Sequence, residues 1–311
     1  MNEDRKIMVG IFSYNEGENL ENMYNQIRIQ SIGLSCEIVL ADESNEKESV
    51  DIRNKIMEKY NVRNICKTEK RKGKVYGYNA LYDSFLTSDC DILIHFDADH
   101  VLSENAVSGL VDAIQSGYNI ATCLNKPLKA GNLFQRILNV LSFPATYLRE
   151  TGEFKYPLVG HNGAYDKKAV QCIRVIPSGG SDEETFILGK VLQNNLKSTV
   201  VTQSVSYYSQ PSNLNDYMRG TKRMYSKTKT AIMRYPEVCQ VEDMHGNHTN
   251  VVDMIYSRPP MKVILKGILS DPFASLFVPY VMLVRLVVMK TAGIYISDTW
   301  ETIESTKRLK V

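Results

Sequence analysis

The sequence lacks the features that mark several large classes of protein. Its net charge is only +2 over 311 residues, so composition excludes a strongly basic nucleic-acid-binding protein, and we expect no nucleic-acid partner. The six cysteines have no CxxC spacing, and several of them lie in or beside apolar runs. We therefore expect buried free thiols in a reducing compartment rather than disulfides.

Three further patterns are missing. No Gly-x-Gly-x-x-Gly follows the first apolar run, which argues against an ordinary dinucleotide-binding domain. The five histidines form no HxxxH pattern, and His245 and His248 lie in a polar stretch that is unsuited to hold a metal. No secretory apolar segment opens the sequence, so we expect the start of the chain to face the cytoplasm.

Strand and helix signals alternate through residues 6–123. Short apolar runs predict strands, and apolar residues at helical spacing recur between them. This alternation predicts an α/β fold with a mostly parallel central sheet flanked by helices. Residues 127–165 are expected to be looser, with an apolar stretch at 133–147 that contains Pro144.

Polar side chains follow three of the predicted strands at the point where each strand ends. Parallel strands place their carboxyl ends at one edge of a sheet, where ligands bind. With a nearby lysine-rich turn, this edge collects Tyr14, Asn15, Asp42, Glu43, Lys74, Asp97 and Asp99.

Asp97-Ala98-Asp99 is the most informative motif. Two carboxylates spaced by one residue project to the same side of an extended segment. Such oxygen ligands suit Mn²⁺ or Mg²⁺, which also bind substrate phosphates. An Asp-x-Asp is often only a solvated turn, but here it closes an apolar strand, which favours a metal site.

Two other clusters have a functional and a structural interpretation. Lys72-Gly73-Lys74, with Asn79, either binds phosphate at a helix N-terminus or forms an exposed basic turn. Asp182-Glu183-Glu184 either supplies a general base for an acceptor hydroxyl or places acids in the first turn of a helix.

Taken together, these motifs resemble the family 2 glycosyltransferases, which share the GT-A fold. The resemblance lies in the ordered segments 11–16, 40–44, 73–79, 96–99, 160–165 and 181–188. It implies an inverting transferase that moves a sugar from a nucleotide diphosphate, UDP first and GDP second, with Mn²⁺ or Mg²⁺ bound at Asp97 and Asp99.

The resemblance also implies roles for individual residues. The predicted donor-binding set is Phe12, Ser13, Tyr14, Glu16, Asp42, Glu43, Lys74, Asn79, Asp97, Ala98, Asp99 and Arg223. Gly160, His161, Asn162 and Gly163 are expected to line the acceptor side. The resemblance places the base among Asp182, Glu183 and Glu184. The motif aligns in two registers, one of which makes Glu184 the base and the other Glu183, and we favour Glu184.

The C-terminal composition suggests a membrane contact. Residues 273–289 are almost wholly apolar but include Pro279 and Arg285, so an interfacial helix, a buried or dimer-forming helix and a true span all stay open. We expect the interfacial arrangement through 261–296, peripheral at the cytoplasmic face, with a glycan or lipid-linked acceptor.

The expected organisation is a catalytic domain over 1–235, with a nucleotide half to about 125 and an acceptor half from about 126. A linker at 236–260 and an apolar helical segment at 261–311 follow. Two competing functions remain, a nucleotidyltransferase acting on sugar phosphates and a non-catalytic family member serving as a membrane-associated partner. The sequence has Ser-Tyr-Asn-Glu after its first strand where a nucleotidyltransferase normally has a Gly-rich, basic loop.

Overall fold

One eight-stranded sheet organises the chain. The computed structural model describes residues 5–66, 71–153, 162–174, 176, 183–242, 248–250 and 259–293. The strands are β1 (Ile7–Ser13), β2 (Cys36–Asp42), β3 (Arg63–Asn64), β4 (Ile92–Asp97), β5 (His100–Leu102), β6 (Ile120–Pro127), β7 (Gly163–Asp166) and β8 (Ser198–Tyr208). β9 (Gln240–Glu242) and β10 (His248–Asn250) form a separate antiparallel pair.

Helices cover both faces of this sheet. They are α1 (Glu18–Gln30), α2 (Lys47–Tyr60), α3 (Lys74–Leu86), α4 (Ala106–Gln115), α5 (Leu133–Glu150), α6 (Lys167–Ile173), α7 (Glu183–Gln193), α8 (Leu214–Arg234) and α9 (Pro236–Cys239). Three helices follow near the C-terminus, α10 (Met261–Ser270), α11 (Pro272–Ser275) and α12 (Val278–Thr291).

The first four strands form the predicted parallel half of the sheet. β1 lies between β2 and β4 and is buried along its whole length, as expected for a continuous apolar run. The register aligns Ser13 with Asp42 on one side and Phe12 with Asp97 on the other. The polar ends of three strands therefore meet at one edge.

The second half makes the sheet mixed rather than uniformly parallel. The strand order is β3-β2-β1-β4-β7-β6-β8-β5, and β7 runs antiparallel to both β4 and β6. β5 pairs antiparallel with β8, which sets His100 opposite Tyr208 and Leu102 opposite Ser206. Asn162, just before β7, is thus carried to the same edge as Asp97.

Apolar side chains on the two faces of the sheet form two separate cores. On one face, the α3 residues Tyr78, Leu81 and Phe85 pack in the same cluster as α6 and α7. On the other face, α1 and α4 bury Leu20 and Leu110 in the second cluster. All six cysteines are free, as expected from their spacing and their apolar neighbours.

The α5 helix differs from the looser segment expected from the sequence. It is continuous over 18 residues although Pro144 lies inside it. Proline removes one backbone donor and ordinarily disfavours a helix interior. Ile137, Leu138 and Val140 are buried against the C-terminal helices, so tertiary packing stabilises α5 across the proline.

Apolar packing and side-chain hydrogen bonds join the C-terminal helices to the rest of the chain. The guanidinium of Arg136 donates to both carboxylate oxygens of Asp271, at 2.7 and 2.8 Å. Arg285 donates to the hydroxyl of Tyr225 on α8 at 3.0 Å. Within the described ranges, no helix combines the length and apolar character needed to cross a bilayer.

Gly189 allows α7 to approach α9, and this contact gives a prediction for stability. A methyl group at position 189 would overlap the backbone carbonyl of Val238, which has no flexible atoms to move away. Gly189→Ala is expected to lower the free energy of unfolding by about 1–3 kcal/mol. Urea denaturation measures the change, and Gly131→Ala, which would meet only the flexible end of Gln135, is the matched control. Equal transition midpoints for the two variants would contradict the packing assigned to α7.

Candidate active site

Hydrogen bonds join the loops that follow β1 and β2. Asn15 adopts a left-handed backbone conformation with φ of 54°, which asparagine tolerates better than most residues. Its backbone N–H donates to the Ser44 hydroxyl at 2.8 Å. Its side-chain oxygen accepts from the backbone N–H groups of Asn45 and Glu46, at 2.9 and 3.1 Å. The two loops therefore form one rigid border of the edge.

The Asp42 carboxylate lies beneath this border and is fully buried. It accepts from the backbone N–H and the hydroxyl of Ser44, at 3.0 and 2.8 Å, and from Arg53 at 3.2 Å. The sequence predicts that Asp42 contacts the donor. In the structure, its carboxylate binds Ser44 and Arg53 and so holds the loop after β2 in position.

Glu43 fixes the lysine-rich turn. Its carboxylate accepts from the backbone N–H groups of Lys72 and Gly73, both at 2.7 Å. Gly73 has φ of 95°, a conformation that residues with a Cβ rarely adopt, and α3 begins at the next residue. Glu43 thus occupies the two backbone N–H groups that directly precede this helix, those of Lys72 and Gly73.

Tyr14 provides an aromatic surface at the border. The guanidinium carbon of Arg71 lies 3.5 Å from the centre of the Tyr14 ring. The Tyr14 hydroxyl donates to the Asn45 side-chain oxygen at 3.3 Å. A half-buried aromatic ring stacked with a guanidinium is a suitable surface for a flat, π-rich ligand.

Lys74 and Asp97 form a mostly buried ion pair, with 2.9 Å between the ammonium nitrogen and the nearer carboxylate oxygen. Burial by itself would lower the pKa of Lys74, but the negative charges of Asp97 and Glu183 outweigh it and the pKa is raised. Burial would likewise raise the pKa of Asp97, yet the charge of Lys74 prevails and lowers it. Both groups are therefore charged at neutral pH.

Three side chains at this edge offer ligand atoms to a cation. The ligand atoms of Asp97, Asp99 and His100 all lie within 4.8 Å of one another. The Asp99 side chain is 37% exposed, so a ligand from solvent reaches it. Ala98 between the acids is buried, and its N–H donates to the Phe12 carbonyl at 2.9 Å, which fixes the turn. Carboxylate oxygens suit Mn²⁺ and Mg²⁺, so this ligand set supports the predicted divalent cation.

Asn162 contacts this acidic turn through its side-chain amide. Its side-chain oxygen accepts from the backbone N–H of Asp97 at 2.7 Å. Its amide nitrogen lies 2.5 Å from the Ser206 hydroxyl and 2.9 Å from Nδ1 of His100. The sequence predicts Asn162 on the acceptor side, whereas its contacts are with the metal motif. Sequence reasoning missed His100 and Ser206, although a histidine directly after Asp-x-Asp was a usable signal.

The first turn of α7 brings two acids towards the same edge in different environments. Glu183 is buried and forms an ion pair with Lys227 on α8, at 2.7 Å. Burial would raise the pKa of Glu183, but the charges of Lys227 and Lys74 lower it. Glu184 is only half-buried, and its charge acts on both Lys74 and Arg149. No sequence pattern indicated that Lys227 or Arg149 would lie near these acids.

The remaining residues of the predicted nucleoside site lie mostly inside the protein. The Phe12 ring is buried, with its centre 4.5 Å from that of Tyr78, so only backbone atoms of Phe12 are left to face the edge. Ser13 is also buried, and Glu16 is half-buried and accepts from the Asn19 amide at 3.3 Å.

Two other residues of the predicted donor-binding set lie on α3 and α8. The amide of Asn79 exchanges hydrogen bonds with the backbone of Ile176, at 2.9 and 2.8 Å, so Asn79 fixes that segment instead of facing the edge. Arg223 is half-buried on α8, one turn before Lys227.

Three predicted site residues fall outside the described residues, namely Gly160 and His161 of the acceptor side and the base candidate Asp182. Gly163 is described and pairs with His95 between β7 and β4. A methyl group at position 163 would lie 2.7 Å from the Ala121 carbonyl oxygen, so glycine is needed there for strand packing.

Comparisons with known proteins place the chain in a family. Residues 8–174, more than half of the chain, match the model described as Glycosyl transferase family 2. A curated relative, the dolichol-phosphate mannosyltransferase of Pyrococcus furiosus, is 32% identical over 116 residues. That alignment covers 37% of this chain and 32% of the relative, so the chain matches about a third of the relative's length.

Solved structures resemble the fold at low sequence identity. The mannosyltransferase PcManGT from Pyrobaculum calidifontis, in complex with GDP-Man and Mn²⁺, has a TM-score of 0.57 at 14% identity and covers 94% of this chain and 76% of its own. TarS from S. aureus has a TM-score of 0.51 at 12% identity, with coverages of 92% and 54%. These likenesses agree with the predicted GT-A fold. With the family match over residues 8–174, they lead to one conclusion: the chain belongs to glycosyl transferase family 2.

Proposed function

We propose that this chain transfers a sugar from a nucleoside diphosphate to an acceptor with the help of Mn²⁺ or Mg²⁺. The observation that carries the proposal is the meeting of Asp97, Asp99, Lys74 and Glu184 at one edge of the sheet. Asp97 and Asp99 would hold the cation, which when bound offsets the charge that develops on the departing diphosphate. Lys74 adds a second positive charge beside Asp97.

The donor nucleoside would lie along the border made by the β1 and β2 loops. Tyr14 with Arg71 offers a stacking surface for the base, and Asn15 and Ser44 keep the loops in place. A UDP-sugar is the first candidate and a GDP-sugar the second. Mannosyl donors are included in the test because one solved relative holds GDP-Man.

Glu184 would act as the general base of a single displacement. The acceptor hydroxyl gives its proton to the Glu184 carboxylate while its oxygen bonds to the anomeric carbon. The bond from that carbon to the diphosphate oxygen breaks in the same step, the nucleoside diphosphate leaves, and the configuration inverts. Glu183 is less suited because Lys227 holds its charge and its pKa is lowered.

A donor screen tests the proposed reaction directly. The full chain is incubated with UDP-, GDP- and dTDP-sugars, with and without polyprenyl phosphate in detergent, and released nucleoside diphosphate is measured. We expect release from one donor class that requires Mn²⁺ or Mg²⁺ and stops with EDTA. Absence of both release and nucleotide binding across all donors would overturn the proposal.

We further propose that the C-terminal helices rest on an anionic membrane surface, where a lipid-linked acceptor would be found. α12 buries only Val281 and Val288, while Leu283 and Leu286 are 60% and 51% exposed. The other large exposed apolar side chains of this segment are Met261, Leu265, Ile268, Leu269, Phe273, Leu276, Phe277, Tyr280, Met282 and Val287. An apolar surface of this extent needs a partner.

Charge favours an anionic bilayer over a second copy of the chain. Residues 261–293 contain one acid, Asp271, which is paired with Arg136. The basic residues of this segment are Lys262, Lys266, Arg285 and Lys290. Self-association through this face would bring like charges together, whereas anionic headgroups attract them. The face also adjoins the site, because α8 contacts Arg285 through Tyr225 and Glu183 through Lys227.

Flotation with phosphatidylglycerol-containing liposomes tests the membrane proposal. Leu283→Glu with Leu286→Glu is expected to weaken binding at least about tenfold, since each buried leucine contributes ~1.5–3 kcal/mol. Ile29→Glu with Ile32→Glu, at and just after the end of α1, is the control and should bind like the wild type, because these side chains are 60% and 80% exposed but lie outside the C-terminal helices.

Two outcomes would contradict the membrane proposal. One is wild-type protein that stays unbound at low ionic strength. The other is a dimer in sedimentation that the Leu283 and Leu286 substitutions dissociate, since this would identify a second copy as the occupant of the face.

A further inference from the structure

The ladder between β4 and β7 ends just before the metal turn, the segment Asp97–Asp99. Its last pair on this side joins His95 to Gly163, and Asp97 lies two residues beyond it. A backbone N–H inside a protein needs an acceptor. The side-chain oxygen of Asn162, the residue directly before β7, accepts from the N–H of Asp97 at 2.7 Å. One side chain thus extends the pairing of β4 up to the metal turn.

The amide nitrogen of the same side chain contacts the strand that leaves the metal turn. It lies 2.5 Å from the Ser206 hydroxyl on β8 and 2.9 Å from Nδ1 of His100, the first residue of β5. Asn162 and Ser206 are fully buried, so water does not compete for these contacts. Asn162 therefore contacts both the first residue of the metal turn and the residue that directly follows it.

The position of Asn162 is itself fixed by its backbone. The carbonyl of Asn162 accepts from the N–H of Cys123 on β6 at 2.9 Å. A Cβ on the next residue, Gly163, would lie 2.7 Å from the carbonyl oxygen of Ala121, so the chain packs closely against β6 here. A short, buried side chain on a fixed backbone keeps its position, which is what a support for a binding site requires.

We propose that Asn162 is a positioning residue for the cation, although it does not touch the cation itself. Two carboxylates brought together repel each other when no cation lies between them. By holding the backbone of Asp97 and the start of β5, Asn162 keeps the carboxylates of Asp97 and Asp99 close together before a cation binds. This inference rests on the proposed metal site, and it assigns a residue of the predicted acceptor side to metal binding.

Asn162→Leu tests this role, because leucine has a similar shape but cannot form the hydrogen bonds. Asn119→Leu is the matched control at the other end of β7. The side-chain oxygen of Asn119 accepts from the backbone N–H of Lys197 at 2.9 Å, and its amide nitrogen donates to Asp166 at 2.7 Å. The two variants lose the same kinds of bond, and only Asn162→Leu loses them at the metal turn.

The first measurement is a titration of the full chain with Mn²⁺ alone, in which electron paramagnetic resonance reports the free ion. We expect binding to weaken about 10–100-fold in Asn162→Leu and to stay at the wild-type level in Asn119→Leu. Equal affinities in the wild type and Asn162→Leu, or equal losses in both variants, would overturn the role of Asn162 alone. A wild type that binds no Mn²⁺ would overturn the proposed metal site as well.

The second measurement is amide hydrogen exchange at Asp97, followed by NMR in metal-free protein. We expect a protected amide in the wild type and exchange at least about tenfold faster in Asn162→Leu. Asn162→Asp should keep most of the protection, because a carboxylate oxygen can still accept from the Asp97 N–H. This variant is left out of the titration, since its added charge would itself attract Mn²⁺.

The exchange measurement tests the proposal even if Asn162→Leu does not fold. An Asp97 amide that exchanges freely in the wild type would contradict the hydrogen bond from which the inference starts. Because neither metal nor sugar donor is present, this result does not depend on whether the chain transfers sugar.

Discussion

Replacing Asp99 with alanine is expected to abolish metal-dependent transfer while the fold stays intact. The Asp99 carboxylate lies partly exposed beside Asp97, and its Oδ1 lies 3.7 Å from Nε2 of His100. Loss of one of two carboxylate ligands removes the charge that holds the cation against the diphosphate. We expect kcat/KM to fall at least about a thousandfold, equivalent to ~4 kcal/mol of transition-state stabilisation.

The control for this experiment is an acid that carries no proposed role. Asp112 on α4 is exposed, and Asp112→Ala should leave the rate of nucleoside diphosphate release unchanged. Both variants should unfold within a few degrees of the wild type. Metal-dependent turnover retained in Asp99→Ala would remove the basis for placing the cation at this turn.

Glu184→Gln is expected to have the second largest effect. If Glu184 takes the acceptor proton, an amide at this position lowers kcat by about 10²–10⁴. Binding of the donor with Mn²⁺ should change little, because Glu184 is neither a proposed metal ligand nor part of the nucleoside border. Single-turnover kinetics with saturating donor separate the two effects.

Glu183 requires a different comparison because it contributes to stability. Glu183→Gln takes away the carboxylate charge that faces the buried charge of Lys227 and should cost about 3–5 kcal/mol of unfolding free energy. Changing Lys227 to methionine in the same protein removes that charge and should restore most of the stability. An active, stable double variant would assign the base to Glu184, whereas a stable but inactive one would contradict that assignment.

The parallel half of the fold was predictable because its signals are local. The runs that form β1, β2 and β4 are apolar, and a polar cluster follows each. Parallel strands place their carboxyl ends at one edge of the sheet, so the meeting of Ser13, Asp42 and Asp97 followed from the parallel arrangement alone.

The mixed half of the sheet and the α5 helix could not be predicted in this way, because they depend on contacts between distant parts of the sequence. β7 inserts antiparallel between β4 and β6, and no local pattern in four residues specifies that pairing. α5 continues through Pro144 because Ala274 and Val281, more than a hundred residues later, pack in the same cluster as its apolar face. Periodicity predicts an element but not the partner that stabilises it.

The site also has a part that local sequence patterns predict and a part that depends on distant contacts. The acids of the metal turn were recognisable from their spacing, whereas the separate environments of Glu183 and Glu184 depend on Lys227, 44 positions away from Glu183. Asp42 and Glu43 were identified as site residues, yet their carboxylates bind Ser44, Arg53 and the turn before α3. Sequence pattern indicated which residues gather at the edge, and hydrogen bonding decided what each one does there.

The most direct test of the central claim is anomalous diffraction from crystals grown with Mn²⁺ and the nucleoside diphosphate selected in the donor screen. The account predicts one strong manganese peak between the carboxylates of Asp97 and Asp99, bridged to the diphosphate, with the base on the Tyr14 side. A manganese peak elsewhere in the chain, or nucleotide bound away from this turn, would contradict it.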